Sequence, residues 1–179
     1  MHVIIVGCGR VGSELAKLLA GEGHNVVVID RNPGSFERLG GTFNGLTVVG
    51  SGFDLSLLKQ AGVEKADAFC VLTNGDNTNL VSAQVAKRIF NVPKVIARVY
   101  DPNRARIYSA LGLDIISGTI LFAAMLRDKI IESRFSSYLI ETKELGVIEI
   151  EVKNDLVGKI VQQMNVPGGI SLNNLWAEG

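Results

Sequence analysis

The chain has 179 residues, 47% of them hydrophobic and 20% charged, enough for one globular domain with a core of its own plus a small appendage. Its 18 Lys and Arg balance 18 Asp and Glu, so the basic excess that nucleic-acid binders carry is missing and no nucleic-acid partner is expected. Cys8 and Cys70 stand apart with no secretory leader ahead of them, and no apolar stretch approaches the about 20 residues of a membrane helix. The expectation is a cytoplasmic protein without direct membrane insertion, which acts at a membrane only through a partner.

Val3 to Val6 is a continuous apolar run, the pattern of a strand buried on both faces. Gly7-Cys8-Gly9-Arg10-Val11-Gly12 follows at once. Val11, Leu15, Leu18 and Leu19 then recur at helical spacing until Gly21 and Gly23 stop the helix. A G-x-G-x-x-G run between a strand and a helix is the dinucleotide-binding fingerprint in its confirming context. Gly7 permits the tight turn, Gly9 lets the backbone approach a pyrophosphate, and Gly12 lets helix and strand pack closely. The free N–H groups and partial positive charge of the helix N-terminus face the phosphates. Arg10 projects from this turn, where its guanidinium can clamp phosphate oxygens or reach across a subunit boundary; a bare surface charge is the plainer alternative. Cys8 is read as a small residue tolerated in the turn, with a redox thiol activated by the helix N-terminus as the alternative.

Val26 to Ile29 is the second strand. Asp30 ends it where a carboxylate accepts hydrogen bonds from ribose hydroxyls. A 2′-phosphate would meet its negative charge, which favours NAD or an adenine nucleotide over NADP. Arg31, next in the chain, either accommodates a phosphate or is a solvated surface charge. A short helix follows Pro33, and Leu46 to Val49 is the third strand, leading into Gly50-Ser51-Gly52-Phe53-Asp54. Leu55 to Ala61 reads as helix, Ala68 to Leu72 as strand, and Asn77 to Phe90 as helix. The polar run from Thr73 to Asn79 and the run from Gly50 to Asp54 both follow strands, at the carboxyl edge where such sheets bind ligands. Gly50, Ser51, Thr73, Asn74 and Asn77 therefore join the candidate ligand contacts, and Asp76 is expected to cap the helix.

Val95 to Val99 is the fifth strand, and Arg98 at its end either adds positive charge near the phosphates or makes a structural ion pair. Asn103 to Leu111 is a helix closed by Gly112, and Asp114 to Ile116 a short sixth strand. Strict alternation of strands and helices predicts an α/β fold, a doubly wound parallel Rossmann sheet of strand order 3-2-1-4-5-6. Thr119 to Ser133 forms a further helix whose apolar residues exceed one core-facing stripe. It is either deeply buried or packed both on its own domain and on a second subunit, and the second option is preferred. Residues 1–134 make the nucleotide-binding domain. In 135–179, Val147 to Val152 alternates like a half-exposed strand and Leu156 to Met164 reads as a short helix, a partial C-terminal α+β appendage.

Several of these segments together resemble the N-terminal nucleotide-binding domain of potassium-transport regulators, the RCK or KTN (TrkA N-terminal type) family of Trk and Ktr systems. They are the glycine run, Val28-Ile29-Asp30, Val49-Gly50-Ser51-Gly52, Asp76-Asn77-Thr78-Asn79-Leu80, Val95-Ile96-Ala97-Arg98-Val99 and Gly112-Leu113-Asp114. Residues 2 to 118 carry the resemblance, and Leu156-Val157-Gly158-Lys159 looks like the start of the family's C-terminal ligand domain. The resemblance implies a regulatory subunit that binds NAD(H) or an adenine nucleotide (AMP, ADP or ATP). It also implies self-association, or association with a related RCK subunit, into a dimer-based octameric ring beneath a membrane-embedded potassium channel or transporter. Many relatives have Asp where this chain has Ser51. Some carry an acidic, metal-linked residue near the position of Thr119, and with Gly118 and Thr119 here no metal is expected.

The competing function is a small NAD-dependent oxidoreductase, which needs an acid–base residue beside the nicotinamide. His2 begins the first strand and His24 precedes the second, so both fall at the amino edge, opposite the expected crevice. Tyr100, Tyr108 and Tyr138 are followed four positions later by Arg104, Gly112 and Thr142, so no Tyr-x-x-x-Lys pair exists. A sensor is therefore expected rather than an enzyme, with ligand energy entering as a difference in affinity between two arrangements of adjacent domains.

Overall fold

The computed structural model describes residues 1–130. Met1–Ala124 form one compact unit, and a second begins at Met125. The elements in order are β1 (His2–Val6), α1 (Arg10–Gly21), β2 (Asn25–Asp30), a 3-10 segment (Pro33–Leu39), β3 (Leu46–Val49), α2 (Leu55–Gln60), β4 (Ala68–Val71), α3 (Asp76–Gln84), β5 (Lys94–Arg98), α4 (Pro102–Ala110), β6 (Asp114–Ile116) and α5 (Gly118–Ile130). The sheet is parallel in the order β3-β2-β1-β4-β5-β6, as expected.

Successive residues of a strand point to opposite faces, and here both faces are covered. Ile4, Val6, Val27 and Ile29 enter one hydrophobic cluster, while Val3, Ile5, Val26 and Val28 enter the other. The unbroken apolar runs of β1 and β2 follow from that double burial. Phe69 and Val71 of β4 join the first cluster and Cys70 the second. The edge strand β3 has Leu46 and Val49 exposed.

The register aligns the carboxyl ends of the inner strands. Val6 pairs with Ile29 and with Val71. The Gly7 N–H donates to the Ile29 carbonyl at 2.7 Å, the Leu72 N–H to the Val6 carbonyl at 2.7 Å, and the Gly50 N–H to the Asp30 carbonyl at 2.9 Å. The loops after β1, β2, β3 and β4 therefore leave the sheet side by side.

Three local readings are refined. α1 lies on the sheet through Gly12, Ser13, Ala16 and Ala20; of the helical apolar series Leu15 and Leu19 pack partly buried against the core, while Val11 and Leu18 stay 51% and 64% exposed. Small residues on the sheet side allow the close approach that a glycine at position 12 permits. The helix expected over 77–90 starts at Asp76 and widens into a π turn at Val85–Ile89, where the Phe90 N–H donates to the Val85 carbonyl. The short helix expected after Pro33 is a 3-10 segment, begun by Asn32, whose side chain accepts from the Gly34 N–H at 3.0 Å. The expected strand at 147–152, the helix at 156–164 and the end of the helix reaching Ser133 lie outside the described residues, as does the segment 135–179 as a whole.

Candidate functional site

A cleft of about 920 Å³ opens at the carboxyl edge of the sheet, at the switch point between β1 and β4 where the strand order reverses. Gly7, Gly9, Arg10 and Val11 line it from the first turn, Asp30 and Arg31 from β2, Gly50 from β3, Thr73 and Asn74 from β4, and Arg98 from β5. Four other candidates do not line it. Cys8 and Gly12 lie in the turn with their backs to the core, and both are buried. Ser51 faces Arg31, and Asn77 points toward α4, where Arg104 Nη1 and the Tyr108 hydroxyl approach its Oδ1 at 3.3 and 3.4 Å.

The three glycines of the turn do different things. Gly7 has φ +102°, a region that L side chains avoid, and a Cβ there would lie 2.9 Å from the Leu72 carbonyl carbon. A Cβ at Gly12 would fall 1.9 Å from the Gly7 oxygen. At Gly9 a Cβ would meet nothing within 4 Å, so packing does not require glycine there and the open space belongs to the cleft. Gly52 also lines the cleft, and a Cβ on it would collide with Val6 Cγ1 at 2.3 Å.

Asp30 is held from both sides. Its Oδ2 accepts the Cys8 N–H at 2.7 Å and its Oδ1 accepts the Asn32 N–H at 2.8 Å. Each carboxylate oxygen keeps a further lone pair for a ligand hydroxyl. Arg31 is tied down rather than free in solvent: Nη2 donates to Ser51 Oγ at 3.2 Å, and the guanidinium lies over the Phe53 ring at 5.3 Å. Burial, then the charge of Asp30, pushes the Cys8 thiol above its usual value. A thiol held protonated is a poor nucleophile, which speaks against the redox alternative.

Across the cleft, Arg98 stacks on the Tyr100 ring at 3.9 Å and makes no ion pair among the described residues. Asp76 does not cap α3; Gly75 takes the N-cap position without a side-chain bond. The carboxylate of Asp76 instead accepts the Tyr100 and Asp101 N–H groups at 2.8 and 3.1 Å. A cap serves its own helix, whereas this acid serves the loop after the neighbouring strand.

Ser35, Arg38, Thr78, Tyr100 and Phe122 also line the cleft and were not among the candidates. Ser35 and Arg38 are three apart on the 3-10 segment, a spacing that puts them on one face, so the signal was present once that segment was known to be 3-10. Phe122 is one apolar residue in an apolar helix, and nothing in the sequence singles it out. Arg10, Arg31, Arg38 and Arg98 face a single lining carboxylate, Asp30, so the cleft attracts anions. His2 meets the Ala61 carbonyl at 3.3 Å and His24 pairs with Glu22 at 3.5 Å, and neither lines the cleft.

An open glycine cradle, a fixed carboxylate and a ring of arginines at the switch point of a parallel sheet define a nucleotide-binding domain of the Rossmann class. The chain belongs to the TrkA-N domain family, whose model matches residues 3–118. It is 41% identical over 172 residues to the Trk system potassium uptake protein TrkA of Streptomyces coelicolor, covering 95% of this chain and 77% of that protein. Among solved structures it resembles the Kef C-terminal domain of Shewanella denitrificans in AMP-bound form (TM-score 0.64, 23% identity, 76% of this chain and 84% of that one). It also resembles the GsuK channel bound to NAD (TM-score 0.63, 23% identity, 73% of this chain and 23% of that one). At these identities the structural likeness concerns the fold.

Proposed function

We propose that this chain is a cytoplasmic, nucleotide-sensing regulatory subunit of a potassium channel or transporter. In this reading NAD(H) or an adenine nucleotide enters the cleft and biases the arrangement of neighbouring subunits. The observation that carries the proposal is the Asp30 carboxylate, fixed by the Cys8 and Asn32 N–H groups beside the open cradle at Gly9. A ribose on Asp30 puts the attached phosphates over the glycine turn, where backbone N–H groups and Arg10 receive them. The kinship with a potassium uptake protein supplies the transported ion. The AMP and NAD named for the two structural relatives support the ligand class.

The ligand acts by differential binding, and the bias it exerts equals its difference in affinity between the two arrangements. Ile120 and Phe122 on α5, 51% and 62% exposed, support packing of that helix against a second subunit and assembly into a dimer-based ring. No helix among the described residues is long and apolar enough to cross a membrane, and contact with the membrane subunit is assigned to the assembled ring. A dehydrogenase is less well supported: no histidine or lysine lines the cleft, arginine does not give up its proton in proteins, Asp30 is engaged by two backbone N–H groups, and the Tyr100 ring is covered by Arg98.

The test is mass spectrometry of the ligand that co-purifies with the chain, followed by calorimetric titration with AMP, ADP, ATP, NAD and NADH. Binding of at least one is expected, together with nucleotide-dependent potassium flux when the membrane subunit is supplied. Failure of all five to bind would overturn the proposal.

A further inference from the structure

The first turn of α3 sends two side chains to the same stretch of chain. Asn79 is fully buried, and a buried amide is costly unless its hydrogen bonds are made. Its Oδ1 accepts the Thr73 N–H at 3.0 Å and the Thr73 hydroxyl at 2.5 Å. Its Nδ2 donates to the Thr73 carbonyl at 3.1 Å and the Arg98 carbonyl at 2.8 Å. Both amide protons and the carbonyl oxygen are thus engaged, and every bond goes to Thr73 or Arg98, two residues that line the cleft. Asp76, three residues earlier, accepts from the Tyr100 and Asp101 N–H groups.

Between these anchors runs Arg98-Val99-Tyr100. Val99 is buried, and its N–H donates to the Ile116 carbonyl at 3.0 Å. The backbone on either side of the stacked Arg98–Tyr100 pair is therefore held, and the pair forms one wall of the cleft. That wall belongs to β5, whereas Asp30 belongs to β2, and the glycine turn after β1 lies between them.

We propose that Asn79, with Asp76, is a positioning clasp that fixes Arg98 and Tyr100 and so sets affinity for the half of a dinucleotide lying beyond the glycine turn. The proposal rests on the nucleotide reading above. AMP on Asp30 reaches only as far as the glycine turn; NADH spans the cleft to the Arg98 wall. A residue that merely stabilised the domain would affect both ligands alike.

The experiment is calorimetric titration of the full chain with AMP and with NADH, for wild type, Asn79→Ala, Arg98→Gln and the double variant, with thermal melts alongside. The ratio of NADH to AMP affinity is expected to fall about tenfold in Asn79→Ala, the effect of one misplaced charge-assisted contact. The double variant is expected to be no worse for NADH than the more affected single variant, since both act through the same guanidinium. Asp76→Ala, which removes only the second anchor, makes the same comparison if Asn79→Ala fails to fold. Equal losses for AMP and NADH, or additive losses in the double variant, would overturn the clasp and leave the nucleotide reading standing. If the wild-type chain binds neither AMP nor NADH, the clasp is overturned, and the nucleotide reading falls with it when ADP, ATP and NAD also fail to bind.

Discussion

The backbone N–H of Cys8 donates to Oδ2 of Asp30 at 2.7 Å, so the turn after β1 and the acid that ends β2 form one hydrogen-bonded unit. The residue between the first two glycines thereby aims the carboxylate, although its own side chain points into the core. Removing the acid should affect ligand and turn together. Asp30→Ala is expected to weaken NADH or adenine-nucleotide binding about 10- to 100-fold, the range of one or two lost hydrogen bonds to a charged group. The domain should still fold, with a lower melting temperature because the Cys8 and Asn32 N–H groups lose their acceptor. Calorimetry and thermal melts read the two effects separately, and unchanged affinity would contradict the ribose assignment.

Gly9 and Gly12 should fail in opposite ways. A methyl group at position 9 meets no protein atom within 4 Å, whereas one at position 12 would lie 1.9 Å from the Gly7 oxygen. Gly9→Ala is expected to keep its melting temperature within a few degrees and to lose most nucleotide affinity, since the methyl fills space needed by the phosphates. Gly12→Ala is expected to lose several kcal/mol of stability, because main-chain atoms must move apart to admit it. Parallel melting and titration of the two variants would show a crossed pattern; a loss of stability in both would mean that Gly9 is structural.

Much of this site was legible because the cues are local. A strand, a G-x-G-x-x-G turn and an acid at the next strand end occur in fixed order along the chain, and burial on both sheet faces writes continuous apolar runs. Cues that depend on a neighbouring element were not legible. An acid in the first turn of a helix suits a cap, and only the closeness of the loop after β5 turns Asp76 toward Tyr100 and Asp101. Asn77 stands in a polar loop beside Thr73 and Asn74, yet helix geometry rotates it toward Arg104 and Tyr108 of α4. Of the large apolar residues at helical spacing in α1, Leu15 and Leu19 pack on the core while Val11 and Leu18 do not, because the close contact at Gly12 turns Ser13, Ala16 and Ala20 toward the sheet.

Arg38 brings a positive charge from the 3-10 segment to the cleft that Arg31 and Asp30 also line, whereas its neighbour Glu37 does not line it. Arg38→Gln removes a cation and keeps a hydrogen-bonding side chain. Affinity for an anionic nucleotide is expected to drop about three- to tenfold at low salt, and less at high salt, where exposed charges are screened. Titrations at two ionic strengths check this. An effect of the same size in both would mean that Arg38 acts through packing.

The apolar positions on α5 test assembly. Ile120→Lys together with Phe122→Ser leaves the sheet untouched, since both side chains are exposed. The wild-type chain is expected to scatter light as a species larger than a dimer, and the double variant to shift toward smaller species at unchanged melting temperature. A wild-type monomer at micromolar concentration would remove the ring, and with it the mechanical part of the proposed function.

The two buried thiols predict how stability changes in alkali. Burial raises Cys70 from 9.0 to about 11, and Cys8 is shifted in the same direction. Above pH 9 the unfolded chain releases these protons, while the native state still holds them. The native state then binds more protons than the unfolded state, so stability must fall with rising pH. The contribution is fully present below about pH 9 and is lost progressively as pH rises through about 11. Cys70→Ala should flatten this alkaline slope relative to wild type, at the cost of a small cavity. Urea unfolding of both proteins at several pH values across this window measures the difference. Equal slopes would mean that Cys70 ionises in the folded protein as readily as in the unfolded chain.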